Sequence, residues 1–127
     1  MAFDAGKQVL YWLKTAADDW RVAQKLLAED ELPQGLFFVH LTLEKALKAY
    51  ICKATNDYAP RIHTLIRLAE LTSLHLTQQQ LDVLAEINQF NLEGRYPDID
   101  LPVVSPKEAQ KHFERAKEMY EWLMKQL

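Results

Sequence analysis

Apolar residues recur at helical spacing in both terminal segments of the chain. In the first segment they alternate steps of four and three, at Val9, Leu13, Ala16, Trp20, Ala23 and Leu27. The last segment repeats these steps at Ala109, Phe113, Ala116, Tyr120, Leu123 and Leu127. Such a narrow apolar seam suits near-antiparallel packing of two long helices. We therefore expect a first helix from Asp4, its N-cap, to about Ala28, packed on the last helix.

The segment of residues 37–50, FFVHLTLEKALKAY, has apolar residues around most of a helical circumference. It predicts a central helix, from about Pro33 or Leu36 to Lys53, that is buried on several sides. Glu44 and Lys48 lie in its middle, four residues apart in the favourable order for an ion pair. Two interpretations stay open: a solvated face with an ordinary ion pair, or a charged stripe that serves a binding surface.

Helix boundaries elsewhere follow from turn and capping residues. Residues 29–35 predict a connector and residues 56–60 a loop. A short helix is expected from about Ile62. Thr77 can form a capping box with Gln80 and so begin a helix that ends around residues 92–94.

The last helix has a clear start. Ser105 supplies the N-cap, Pro106 the first helical position and Glu108 the third, after a Pro- and Asp-rich loop. No stretch shows the alternation of a strand. The sequence therefore predicts one domain over residues 1–127, with an all-α fold: an up-and-down bundle of four to five helices.

Composition excludes several classes of protein. The 127 residues carry a net charge of −3, so nucleic acid could bind only at a local basic patch. The single cysteine, Cys52, fits a small buried side chain and a cytoplasmic location. We see no signal peptide and no membrane-spanning run, and we expect no membrane contact. The histidines lack zinc-site spacing and the three glycines are scattered, so neither a metal nor a cofactor is predicted.

Several segments in a set order resemble the HEPN domain (higher eukaryotes and prokaryotes nucleotide-binding), in its small stand-alone prokaryotic form. They are FFVHLTLEKALKAY, Pro60 with the following IHTLIRL, and GRYPD at residues 94–98. The resemblance implies a helical bundle that forms a homodimer and is the partner of a small nucleotidyltransferase. It also implies that some members are metal-independent ribonucleases and toxins, with an Arg and a His four to six residues apart.

That Arg–His spacing is absent from this sequence. Arg95 is followed by no histidine as far as Pro102, and the Arg61–His63 spacing is too short. We therefore expect a binding module without its own catalysis. One alternative is a ribonuclease with a rearranged site of Arg95 and His63. The other is an oligomerisation scaffold that uses the apolar area of the tryptophans Trp12, Trp20 and Trp122.

Candidate binding residues are two lysines of the central helix and two residues of a later loop. Lys45 and Lys48 supply local positive charge for a phosphate. Arg95 and Tyr96 can offer a guanidinium and a stacking face to a nucleotide, although an Arg95–Asp98 bridge would explain the same residues structurally.

The histidines are expected to have structural roles. We interpret His63 as a cap of the short helix or a donor to a backbone carbonyl, with phosphate or proton chemistry as the alternative. His40 is expected to be partly buried and hydrogen-bonded, and His112 to lie on the surface.

Overall fold

The computed structural model describes residues 3–93 and 101–127, which form five helices. They are α1 (Ala5–Ala28), α2 (Leu32–Thr55), α3 (Leu65–Glu70), α4 (Gln78–Asn88) and α5 (Pro106–Lys125). No described residue lies in a strand. The all-α prediction, with four longer helices and one short helix, is confirmed.

Capping residues begin three of the helices as predicted. The Asp4 carboxylate accepts a hydrogen bond from the Lys7 backbone N–H at 3.1 Å. Capping boxes are present at Thr77 with Gln80 and at Ser105 with Glu108. Each bond satisfies a backbone N–H that has no partner inside its helix, and each spans only three residues.

The turn between α1 and α2 is shorter than the predicted connector of residues 29–35. Asp30 adopts a left-handed backbone with φ of 61°, and α2 begins at Leu32. Pro33 lies in the first turn of this helix, where a proline loses no intrahelical hydrogen bond. A Cβ at Gly35 would lie 2.7 Å from Leu27 Cδ2, so the absence of a side chain lets the two helices approach closely.

Helix α2 is the centre of the bundle, as the sequence predicted. It packs against all four other helices, and 13 of its 24 residues are buried. Its apolar core residues include Leu36, Val39, Leu43 and Leu47. A polar side chain that α2 buries therefore lies beside packed helices and must find its partner there.

The expected packing of α1 on α5 is only partly right. The extensive interface of α1 is with α2, and the fully buried Ala16 and Ala23 permit a close approach. Helix α1 meets α5 through aromatic side chains: the Trp20 ring stacks on Phe113, with centroids 4.7 Å apart, and contacts Tyr120 at 5.3 Å. The apolar residues of α1 and α5 belong to the same core, but the main packing partner of α1 is α2 and not α5.

Two helix boundaries differ from the predictions because of contacts made at their ends. Helix α3 begins at Leu65, later than Ile62, and the Leu65 backbone N–H donates to Asn88 Oδ1 at 3.0 Å. Helix α4 ends at Asn88, before residues 92–94, where the Phe90 N–H bonds the Ile87 carbonyl in a tighter turn. The predicted stop at Gly94 and the loop around Asp98 lie outside the described residues.

Candidate functional site

Glu44 and Lys48 of α2 form an ion pair that is buried. Lys48 Nζ lies 3.1 Å from Glu44 Oε2, and each residue is only 4% exposed. The predicted pairing is confirmed, and the interpretation of a solvated face is wrong because neighbouring elements cover it. The Lys48 ammonium also lies 5.3 Å from the centroid of the Trp12 ring, within the range of a cation–π contact.

His63 binds the same carboxylate from the loop that follows α2. Its Nδ1 lies 3.0 Å from Glu44 Oε2, while 49% of its side chain remains exposed. A carboxylate oxygen accepts, so Nδ1 donates the hydrogen in this contact and the second ring nitrogen, Nε2, is left for another partner. The expected helix-capping role is wrong, since the N-cap position of α3 is Thr64.

His40 lies on the other side of Glu44 and is fully buried. Its Nδ1 is 3.9 Å from Glu44 Oε1, and neither ring nitrogen makes a hydrogen bond of good geometry to the described residues. Burial lowers the pKa of His40 below 6.5, and the Glu44 charge, the His63 backbone and the Asn88 side chain oppose that shift. We conclude that His40 is neutral at pH 7 and more deeply buried than expected.

A cavity of about 420 Å³ opens beside these residues, between α1, α2 and the loop before α3. We call it the His63 cavity. The turn at residues 59–60 forms part of its wall, together with the side chains of Gln8, Trp12, Lys48, Tyr58, Arg61 and His63.

The His63 cavity is locally basic in a protein of net charge −3. Arg61 is exposed and makes no ion pair with the described residues, so its charge is available to a ligand. Lys48 and Glu44 neutralise each other. The described part of the chain contains no group of three or more His, Cys, Asp or Glu side chains that could hold a metal ion.

The structure separates the two lysines predicted to bind a ligand together. Lys48 lines the His63 cavity, whereas Lys45 Nζ pairs with Asp19 Oδ2 at 2.6 Å and joins α2 to α1. Arg95 and Tyr96 lie outside the described residues, so their contribution stays a prediction.

Sequence reasoning missed Tyr58 and Arg61 as cavity residues. A signal was present: an aromatic, an arginine and a histidine flank Pro60 within six residues. Such a proline-restricted segment can present several side chains on one side of a loop.

A family model described as "HEPN domain" matches residues 9–127, which is nearly the whole chain. The chain belongs to the HEPN domain family. No protein with a curated description matches it.

Two solved structures resemble this HEPN domain in fold. TT1696 from Thermus thermophilus is 18% identical, with a TM-score of 0.77 over 94% of this chain and 98% of that chain. ST0689, described as an archaeal HEPN homologue, is 18% identical, with a TM-score of 0.73 over 94% of this chain and 97% of that chain. At this identity the likeness shows the fold alone, so residue roles must come from the geometry of this chain.

Proposed function

We propose that this HEPN domain is a binding module that holds the phosphate of a nucleotide or nucleic acid in the His63 cavity. The observation that carries the proposal is that two groups line one cavity beside the Glu44–Lys48 pair: the Arg61 guanidinium, which makes no ion pair with the described residues, and the half-exposed His63 imidazole. Arg61 offers forked N–H donors that suit phosphate oxygens, and His63 offers one further ring nitrogen. The buried Glu44 carboxylate fixes the positions of His63 and Lys48.

The proposal includes a protein partner, a small nucleotidyltransferase, and a second copy of the chain in a homodimer. It is supported by apolar surface near the start of α1, where Leu10 is 68% and Tyr11 is 56% exposed. A second cavity of about 780 Å³ runs beside Leu10, with Lys7 and Lys53 in its walls. Apolar surface of this kind with polar groups around it is typical of protein contact sites.

Isothermal titration calorimetry with adenosine monophosphate and a short oligoadenylate tests phosphate binding. Arg61→Ala should weaken affinity roughly tenfold, because it removes a charge-assisted contact. Arg67→Ala is the matched control: Arg67 is also exposed, lies in α3 and does not line the cavity. Absence of binding by the unsubstituted protein, or equal losses in both variants, would contradict the proposal.

Partner binding needs a separate experiment. The chain would be co-expressed with the small nucleotidyltransferase of a neighbouring reading frame and purified by size exclusion with light scattering. The proposal expects a stable complex, which Leu10→Asp should weaken. A complex that forms equally well with this variant would exclude the α1 surface as the contact site.

A metal-independent ribonuclease is the second candidate, and the 3.0 Å contact of His63 Nδ1 with Glu44 favours it. A carboxylate that holds one ring nitrogen leaves the other to take the proton of a ribose 2′-hydroxyl. The 2′-oxygen would then bond to phosphorus and form a 2′,3′-cyclic phosphate as the bond to the 5′-oxygen breaks. His63 would return its proton to the leaving 5′-oxygen, and Arg61 would stabilise the charge that develops on the phosphate. Cleavage of labelled RNA in EDTA that His63→Ala abolishes would establish this activity; intact RNA would reject it.

The oligomerisation scaffold stays a prediction. Each of the three tryptophans is only partly buried: Trp20 stacks on Phe113, Trp12 lines the His63 cavity, and Trp122 packs against the core.

A further inference from the structure

We infer that Tyr58 is the residue that recognises the base of the ligand, by stacking of that base on its ring at the edge of the His63 cavity. The inference rests on the proposed function, because it needs a phosphate ligand in that cavity. It adds the aromatic ring of Tyr58 to Arg61 and His63 as a group that contacts the ligand.

Tyr58 lines the His63 cavity and is largely exposed. The residue is 63% exposed, although its ring lies 4.5 Å from that of Phe3, measured between centroids. The Tyr58 backbone N–H donates to Asp57 Oδ1 at 2.7 Å, and Pro60 restricts the backbone of Ala59, the residue that follows Tyr58. The Tyr58 ring therefore contacts Phe3 but stays largely exposed, so aromatic surface remains for stacking on a planar ligand.

The distance to the charged groups suits a nucleotide. Tyr58 and Arg61 are three residues apart, so their backbones are separated by at most about 10 Å. In a nucleotide the base and the 5′-phosphate are joined by a single ribose. A base on Tyr58 therefore leaves the phosphate within reach of Arg61 and His63.

The remaining cavity wall also fits a base. Gln8 lines it with a side-chain amide that makes no hydrogen bond within the described part of the chain. An amide offers both a donor and an acceptor to the edge of a base. The volume of about 420 Å³ falls within the usual range of small-molecule sites.

The decisive comparison uses three probes that differ by one component each: inorganic phosphate, ribose 5-phosphate and adenosine monophosphate. We expect adenosine monophosphate to bind about tenfold more tightly than ribose 5-phosphate, since base–aromatic stacking adds to phosphate binding. Tyr58→Ala should remove this preference and leave ribose 5-phosphate affinity unchanged, whereas Tyr58→Phe should keep it. Leu71→Ala is the control, because Leu71 is also a large exposed apolar residue and does not line the cavity.

The two proposals fail in different ways. Equal affinity for adenosine monophosphate and ribose 5-phosphate, or a preference that survives Tyr58→Ala, would overturn the stacking inference and leave phosphate binding intact. Failure of all three probes to bind would overturn the proposed function and the inference with it.

Discussion

Two carboxylates of this HEPN domain each have one cation and one histidine close to the same oxygen. In the first set, Glu44 Oε2 contacts Lys48 Nζ at 3.1 Å and His63 Nδ1 at 3.0 Å. The Glu44 side chain is 5% exposed and the imidazole is 49% exposed. The second set is built on Glu86 of α4.

Glu86 has the same kinds of partner with the opposite burial. Its Oε2 lies 2.6 Å from Arg115 Nη1 and 3.6 Å from His112 Nδ1, both on α5. Here the carboxylate is 37% exposed and the imidazole only 16%, with its ring edge against Phe90. The expectation of a surface position for His112 is therefore wrong, because α4 and the turn after it cover the ring.

The comparison shows that the order of burial, rather than the set of residues, separates a candidate site from a structural contact. In the first set a buried carboxylate contacts a half-exposed imidazole, whose ring is open to solvent. An exposed carboxylate with a buried imidazole joins two helices and leaves little for a ligand to meet. The Glu86 set has the Arg and His of a phosphate site, but its Arg is already paired.

The two sets should differ most in how much the free energy of unfolding falls when the carboxylate is replaced by an amide. Glu44→Gln leaves the Lys48 ammonium buried without its counter-charge and should lower the free energy of unfolding by about 3–5 kcal/mol. Glu86→Gln breaks a more exposed pair and should cost about 1 kcal/mol or less. Urea denaturation followed by circular dichroism measures both.

A double variant distinguishes the effect of an unpaired buried charge from the effect of altered packing. Glu44→Gln with Lys48→Met removes both buried charges and should recover much of the lost stability. If Glu44→Gln costs no more than Glu86→Gln, the burial assigned to the first set is wrong.

The sequence predicted the features that depend on neighbouring residues. The caps at Asp4, Thr77 and Ser105 are local, and the apolar steps place α2 at the centre. Glu44 with Lys48 was predictable for the same reason, since four residues bring them to one helix face.

Contacts between distant residues were not predictable from the sequence. His63 is 19 residues from Glu44, and a loop intervenes, so no periodicity indicates their contact. The pairing of Lys45 with Asp19 likewise depends on how α1 lies against α2. The His63–Glu44 contact forms one side of the cavity, and the Lys45–Asp19 pair keeps Lys45 out of it, so Lys48 alone of the two lysines lines the cavity. Because neither contact is local, the site could be predicted only in part.

Ligand affinity should distinguish the two histidines. His63→Ala should weaken binding of adenosine monophosphate roughly tenfold, because it removes a ring nitrogen from the cavity. His112→Ala should leave affinity unchanged, since that ring packs between helices. Calorimetric titrations of the two variants measure this, and an equal loss in both would place the ligand elsewhere or show a general loss of structure.

The smallest expected effect is on the pH dependence of stability. Burial lowers the pKa of His40, beside Glu44 and His63, and of His112, beside Glu86 and Arg115, below 6.5. As the pH falls through that value, these histidines take up protons in the unfolded chain before they do so in the folded chain. The free energy of unfolding should therefore decrease from about pH 7.5 to about pH 5.5.

Substitutions assign this decrease to particular residues. His40→Leu should flatten the profile more than His112→Leu, because His40 is fully buried and the His112 side chain is 16% exposed. Urea titrations at several pH values give the slopes. A slope that neither substitution changes would show that other groups cause the decrease.

The most direct test of the central claim is an NMR titration that follows the imidazole signals with adenosine monophosphate. The chain has only four histidines, so their ring resonances can be assigned by single substitutions. The account predicts a saturable shift of the His63 ring signals and none for His112. A ligand that binds while His63 stays unchanged, or that shifts His112 instead, would contradict it.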